Sequence, residues 1–227
     1  MNLQNKHMVI TGGGGALGRA VAARAARAGA CVTVVDRQAV QGLPEGVRSV
    51  VVDLTDAAQT QAAVQSLGAV DVLCAIAGGF SMGAPVHDAD DAQWDAMMQG
   101  NVGSLRSALK AVVPGMLARG TGRVVTVGAL SALQGKASMS AYTASKAVVM
   151  NLTEALAAEV AATAIRVNAV LPSIIDTPAN RAAMPDADVS QWVQPTDMAE
   201  VICFLASDAS QAIHGALIPL AGGSGPA

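Results

Sequence analysis

Seven short apolar runs recur along the chain: "HMVIT" at 7–11, "CVTVVD" at 31–36, "SVVVD" at 49–53, "DVLCAIA" at 71–77, "RVVTVG" at 123–128, "RVNAVL" at 166–171 and "ALIPL" at 216–220. None alternates apolar with polar residues, as a strand with one wet face must, so each is expected to be covered on both faces. Longer stretches with helical spacing separate them. Strands buried on both faces and joined through helices imply a parallel sheet between two helical layers, the doubly wound α/β class. The stretch 16–29 shows the helical pattern by angle. At 100° per residue Arg19, Arg24 and Arg27 share one arc of about 140°, while Leu17, Val21, Ala25 and Ala28 occupy the neighbouring one. Gly29 is placed to end that helix.

The chain has 227 residues, enough for one domain that buries roughly 70–75% of its unfolded surface without disulfide or metal. There is no long linker, low-complexity segment or internal repeat, so residues 1–227 read as a single domain. Lys and Arg number 14 against 17 Asp and Glu, and no run of like charge could track a phosphate backbone, which excludes nucleic acid as a partner. Cys31, Cys74 and Cys203 are odd in number and too far apart for a metal site; they read as small core residues of a reducing compartment. No metal is expected. The first residues lack a signal-peptide core, and Pro114, Gly115 and Glu159 interrupt the longest apolar stretches, so a soluble, cytoplasmic protein without a membrane span is expected. Aromatics make up only 2% of the chain, so the core must be aliphatic. Trp94 is expected to pack, and Trp192 is a candidate for covering a substrate. His7, His87 and His214 are isolated and read as solvated or capping.

"VITGGGGALG" sets a glycine-rich turn between the first strand and the first helix. A helix N-terminus there offers free backbone N–H groups and a positive dipole end to a pyrophosphate. Gly12 permits the tight turn, Gly18 lets the helix approach the sheet, and Gly15, Ala16 and Leu17 complete the loop, with Ala16 where a third glycine is usual. Asp36 ends the second strand, 18 residues after Gly18, in the place suited to accept from adenosine ribose hydroxyls. A carboxylate there repels a 2′-phosphate, so NAD(H) is favoured; Arg37 beside it weakens that preference and leaves NADP(H) open. Asp53 and Leu54, after the third strand, are candidates to flank the adenine.

Tyr142, the only tyrosine, stands four residues before Lys146, so the two share one helical face. A nearby ammonium favours phenolate and is expected to lower the tyrosine's pKa, which suits Tyr142 to protonate an atom that receives hydride. The pair, the glycine loop, "AIAGG" at 75–79 with Ala77 and Gly78, Asn101 in "MMQGNVGSL" and "LPSIIDTP" at 171–178 together resemble the short-chain dehydrogenase/reductase family over essentially the whole chain. The resemblance implies a Rossmann-type fold, with Tyr142 as acid and Lys146 holding the nicotinamide ribose. It implies that Asn101 holds a water in a proton relay, and that Thr177 and the Ile175 backbone bind the carboxamide. It also implies a homodimer or homotetramer built on helices at 101–118 and 141–160, and a small-molecule substrate.

One departure matters chemically: Ala129 stands thirteen residues before Tyr142, where the family usually has serine. "GALSALQGKASMSAY" and "AVLPSIIDTPANRAAMPDADVSQW" look most like dihydropteridine reductases, which share that alanine. Losing one oxyanion donor costs on the order of 10²–10³ in rate, a loss that an electron-poor acceptor such as a quinonoid dihydropterin tolerates best. Ser131, two residues on, is the alternative source of the hydroxyl. The irregular stretch 173–196 is expected to be a loop closing over substrate. A redox sensor that binds the dinucleotide without turnover is the competing class, and it would have no use for Tyr142, Lys146 and Asn101.

Overall fold

A computed structural model describes residues 2–223. In chain order the elements are β1 (His7–Thr11), α1 (Ala16–Arg27), β2 (Cys31–Asp36), β3 (Arg48–Val51), α2 (Ala57–Leu67), β4 (Val72–Ala75) and α3 (Asp91–Met97). They continue with α4 (Ser104–Arg119), β5 (Thr121–Val127), α5 (Ser140–Glu159), β6 (Ala164–Pro172), α6 (Pro178–Ala183), α7 (Pro195–Ala206) and β7 (Leu217–Leu220). The seven strands form one parallel sheet in the order β3-β2-β1-β4-β5-β6-β7, so each apolar run of the sequence is a strand. Chain order reverses between β1 and β4, the point at which sheets of this kind leave a crevice beyond the carboxyl ends of the strands.

Two apolar layers flank the sheet. On one face Leu17, Val21, Ala22 and Ala25 of α1 and Met198, Ile202 and Cys203 of α7 pack over Met8, Ile10 and Val34. On the other, α4 and α5 place Leu105, Val112, Met116 and Val149 against Val9, Leu73, Val124 and Val167. The arginines of α1 stay at the rim, where Arg24 Nε bonds Glu200 Oε1 of α7 at 2.5 Å. Gly29, at φ +88°, stops the chain from continuing as helix.

Three expectations change. Trp94 is exposed, because α3 is a short helix on the rim with no buried residue. Cys31 is exposed at the start of β2, while Cys74 and Cys203 are buried. His7 and His214 are structural ties: His7 Nδ1 and Nε2 lie 2.9 and 3.0 Å from Ala69 O and Thr33 Oγ1. His214 accepts from Val167 N through Nδ1, which leaves its Nε2 to donate to Ala157 O at 2.8 Å. Among the described residues no helix is long and apolar enough to cross a membrane.

Candidate active site

The glycine turn is shaped by what a side chain would strike. Gly12 sits at φ +71°, and a Cβ there would lie 2.9 Å from the Ala77 backbone. The loops that leave β1 and β4 are therefore in contact. Thr11 Oγ1 strengthens this contact by accepting from the Ile76 and Ala77 amides, both at 3.1 Å. A Cβ at Gly18 would stand 2.3 Å from Gly12 O, so only glycine lets α1 begin this close to the turn. Gly15 caps α1 without a side chain. The amides of Ala16, Leu17 and Gly18 find no acceptor among the described residues, as expected at a helix end meant for an anion.

Asp36 reaches this turn: its Oδ2 accepts from Gly14 N at 2.9 Å, which leaves Oδ1 for a ribose hydroxyl. These features fit an adenine dinucleotide, with the three amides for its pyrophosphate and the carboxylate for its ribose. Arg37 is exposed and close enough to Asp53 to help lower its pKa, although the Thr55 hydroxyl and amide are the larger causes. Asp53 Oδ1 accepts both of those Thr55 groups, and Leu54 is buried in the core. The pair therefore has a structural job at the end of β3, whatever else it borders.

Asn101 lies in a π-helical turn, Met98–Gly103, that joins α3 to α4 without a break. Such turns push side chains out of helical register and gather at functional sites. The amide is buried: Oδ1 accepts from Gly79 N at 2.7 Å, and Nδ2 donates to Ser145 Oγ at 2.8 Å and Gly79 O at 3.2 Å. Gly78 is where the elements meet, because a Cβ there would lie 2.3 Å from Asn101 Oδ1 and 3.4 Å from Lys146 Nζ. Gly78, Asn101 and Lys146 are thus brought together, with Ala77 against the turn at Gly12.

Lys146 is buried on α5 and donates from Nζ to Val127 O at 2.9 Å. Tyr142 is half-buried one turn earlier, with the exposed Phe80 ring edge-on at 4.9 Å and 72°. The expected lowering of the tyrosine is not found. Burial pushes the Tyr142 phenol up to about 12, and the ammonium is drawn to the Val127 carbonyl instead. Burial also pushes Lys146 down to about 8 from 10.5. Between those two values Lys146 binds more protons in the unfolded chain than in the folded one, so its own contribution to stability rises with pH through that window. Below it the full cost of burying the ammonium is present. Lys146→Met should therefore melt higher than the parent near neutral pH, by roughly 5–10 °C for a cost of about 3 kcal/mol. The gap should close towards pH 10, and equal melting points at neutral pH would argue against a buried ammonium.

Ala129 is buried and extended at the end of β5. Ser131 follows in a single 3-10 turn, Leu130–Leu133, that packs on α5; it is half-buried, and its hydroxyl bonds no described residue. The stretch 173–196 is more ordered than its sequence suggested, because its two ends hold each other. Val193 N donates to Ile174 O and Asp176 N to Val193 O, at 2.8 and 2.9 Å. Asp176 gathers Arg181 Nε and Nη2 and Gln194 Nε2 at 2.5, 2.7 and 2.9 Å, and the Arg181 bond above all holds its carboxyl down at about 2. Thr177 Oγ1 caps α6 by accepting from Asn180 N, and Ile175 O accepts from Asn180 Nδ2. Trp192 is 5% exposed and packed inside. Sequence reasoning passed over Thr11 and Ser145, whose types and positions are ordinary until their partners are known.

A parallel sheet with an anion-ready helix end at its switch point, and a tyrosine and buried lysine across the crevice, define a dinucleotide-dependent oxidoreductase. The chain belongs to the short chain dehydrogenase family, which it matches over residues 6–188. It is 35% identical over 97% of its length to 2-(S)-hydroxypropyl-CoM dehydrogenase 3 of Xanthobacter autotrophicus, of which 97% is covered. A gluconate 5-dehydrogenase structure from Beutenbergia cavernae with bound NADP superposes with TM-score 0.88, 32% identity and 96% of each chain covered. NAD+-bound xylitol dehydrogenase superposes with TM-score 0.89 and 26% identity, covering 98% of this chain and 100% of that one. The protein is accordingly an NAD(P)-dependent oxidoreductase. The narrower likeness to dihydropteridine reductases has no counterpart among these relatives, whose names give other substrates.

Proposed function

We propose that this oxidoreductase uses NAD(H) and reduces an electron-poor C=N or C=O group, a quinonoid dihydropterin or a close chemical equivalent, with Tyr142 as the acid. The nicotinamide, when bound, supplies the hydride. Tyr142 Oη delivers the proton to the atom that gains charge. Burial holds the phenol up at about 12, so the proton is in place at neutral pH but is given up less readily than from a phenol tuned towards that pH. Lys146 would hold the nicotinamide ribose and Asn101 a water on the relay that refills Tyr142. Thr177, whose own O–H is left free by its capping role, would donate to the carboxamide. Asp36 selects NADH by repelling a 2′-phosphate. The segment 173–196 would close over the substrate as a unit. The small apolar faces of α4 and α5 would pair between copies across a two-fold axis.

The observation that carries the acceptor is Ala129, a buried methyl where a serine would brace an oxyanion. Ser131 favours a second reading, because an unbonded, half-buried hydroxyl two residues on could brace a ketone oxygen instead. That would suit a secondary alcohol such as the one named in the Xanthobacter relative. One experiment separates the two: follow NADH and NADPH absorbance with quinonoid dihydropterin, simple ketones and 3-oxoacyl thioesters, using the parent, Ala129→Ser and Ser131→Ala. The first reading expects the dihydropterin to be best, NADH at least about tenfold tighter than NADPH, and faster ketone reduction only in Ala129→Ser. Loss of ketone reduction on Ser131→Ala would establish the second.

A further inference from the structure

We propose that Ser145 is a positioning residue, one that fixes which end of the Asn101 amide faces Lys146. The proposal rests on the reading of Asn101 and Lys146 given above. Ser145 is fully buried and stands between Tyr142 and Lys146 on α5. A hydroxyl has one proton and two lone pairs. Ser145 gives its proton to the Tyr142 carbonyl at 2.8 Å, a common back-bond for serine in a helix. Only lone pairs then remain for the neighbour on the π-turn, and Asn101 Nδ2 meets them at 2.8 Å. At its other end the amide meets the Gly79 N–H, which requires Oδ1 there. Both neighbours therefore demand the same orientation. It sets the oxygen of the amide, not its NH2 group, in the space over Gly78 that Lys146 Nζ also borders. The negative end of the amide dipole then faces the ammonium.

Without the Ser145 hydroxyl, Nδ2 keeps only Gly79 O as an oxygen partner, at 3.2 Å, and the amide is held by Gly79 alone. Ser145 also ties Asn101 to the turn of α5 that carries Tyr142, so a loosened amide disturbs the spacing between the π-turn and both residues. Small misplacements of this kind cost rate far more than they cost binding.

The test is a double-mutant cycle with pH profiles, using Ser145→Ala, Ser145→Thr, Asn101→Ala and Ser145→Ala with Asn101→Ala. Ser145→Ala is expected to lower kcat roughly tenfold or more, to leave NADH affinity within about twofold and to move the limb of the kcat profile that reports Lys146. Ser145→Thr keeps the hydroxyl and should restore most of the rate. In the Asn101→Ala background, removing Ser145 should change kcat less than about twofold, because its route of action is gone. Losses that multiply in the double variant would make Ser145 a structural residue only. An unchanged kcat and pH profile in Ser145→Ala would overturn the proposal directly. If Asn101→Ala keeps full turnover, the role of Asn101 fails first, and that of Ser145 with it. Should Ser145→Ala not fold, failure of Ser145→Thr to retain rate in a folded protein would also overturn it.

Discussion

Tyr142→Phe should reduce turnover by at least about 100-fold while NADH affinity stays within a factor of about two. The substitution keeps the ring that Phe80 meets edge-on, so packing at the mouth of the site survives. What disappears is the phenol proton on Tyr142, and general acid catalysis accounts for roughly 10²–10⁴ in rate. The loss should fall on kcat and kcat/KM together, because the proton is transferred only as the transition state forms. Steady-state kinetics with the best acceptor and a fluorescence titration of NADH would check both halves. Full turnover in the variant would remove Tyr142 from the chemistry and leave the α5 pair to cofactor binding.

Gly18→Ala should weaken NADH binding by at least about 100-fold. Within a helix alanine is favoured over glycine by about 1 kcal/mol, so local propensity predicts a modest gain in stability. Here the added Cβ would meet Gly12 O at 2.3 Å and Gly13 Cα at 2.8 Å, both backbone atoms, and no rotamer escapes them. The start of α1 must lift off the turn, and the amides of Ala16, Leu17 and Gly18 leave their common aim. Thermal unfolding of the same sample would show that the protein is still folded. Parent-like affinity in a folded Gly18→Ala protein would mean that these amides do not hold the pyrophosphate.

The sheet was legible because its signal is local. "VLCA" or "CVTVVD" has no polar alternation, and both are covered on both faces; the same rule fails for β3, an edge strand whose Arg48, Ser49 and Val51 are exposed. The glycine turn and Asp36 were equally legible, since close backbone approach and a strand-end carboxylate leave fixed spacings. What spacing could not carry was direction. It placed Tyr142 and Lys146 on one face of α5, but not that Nζ turns to Val127 O, and so it gave the wrong sign for the tyrosine shift. The order within 173–196 escaped notice because it depends on Asp176 and Gln194, residues brought together only by the fold. Trp94 misled because an aromatic is a good guide to the core only on an element that reaches it, and α3 does not.

The π-turn at Met98–Gly103 makes residue count itself part of the active site. A π-helical turn is an α-helix carrying one surplus residue, so the strand of helix from Asp91 to Arg119 is one residue longer than its path requires. Removing one residue of the π-turn ahead of Asn101, even exchanging none of the side chains that touch it, would let the helix relax to α geometry and swing the asparagine about 100° around the axis. The amide would leave Gly79 and Ser145 while every named residue of the site was still present. Two chains with identical site residues can therefore differ in competence by a single deletion in the helix between them, which a comparison of residue identities alone would not detect.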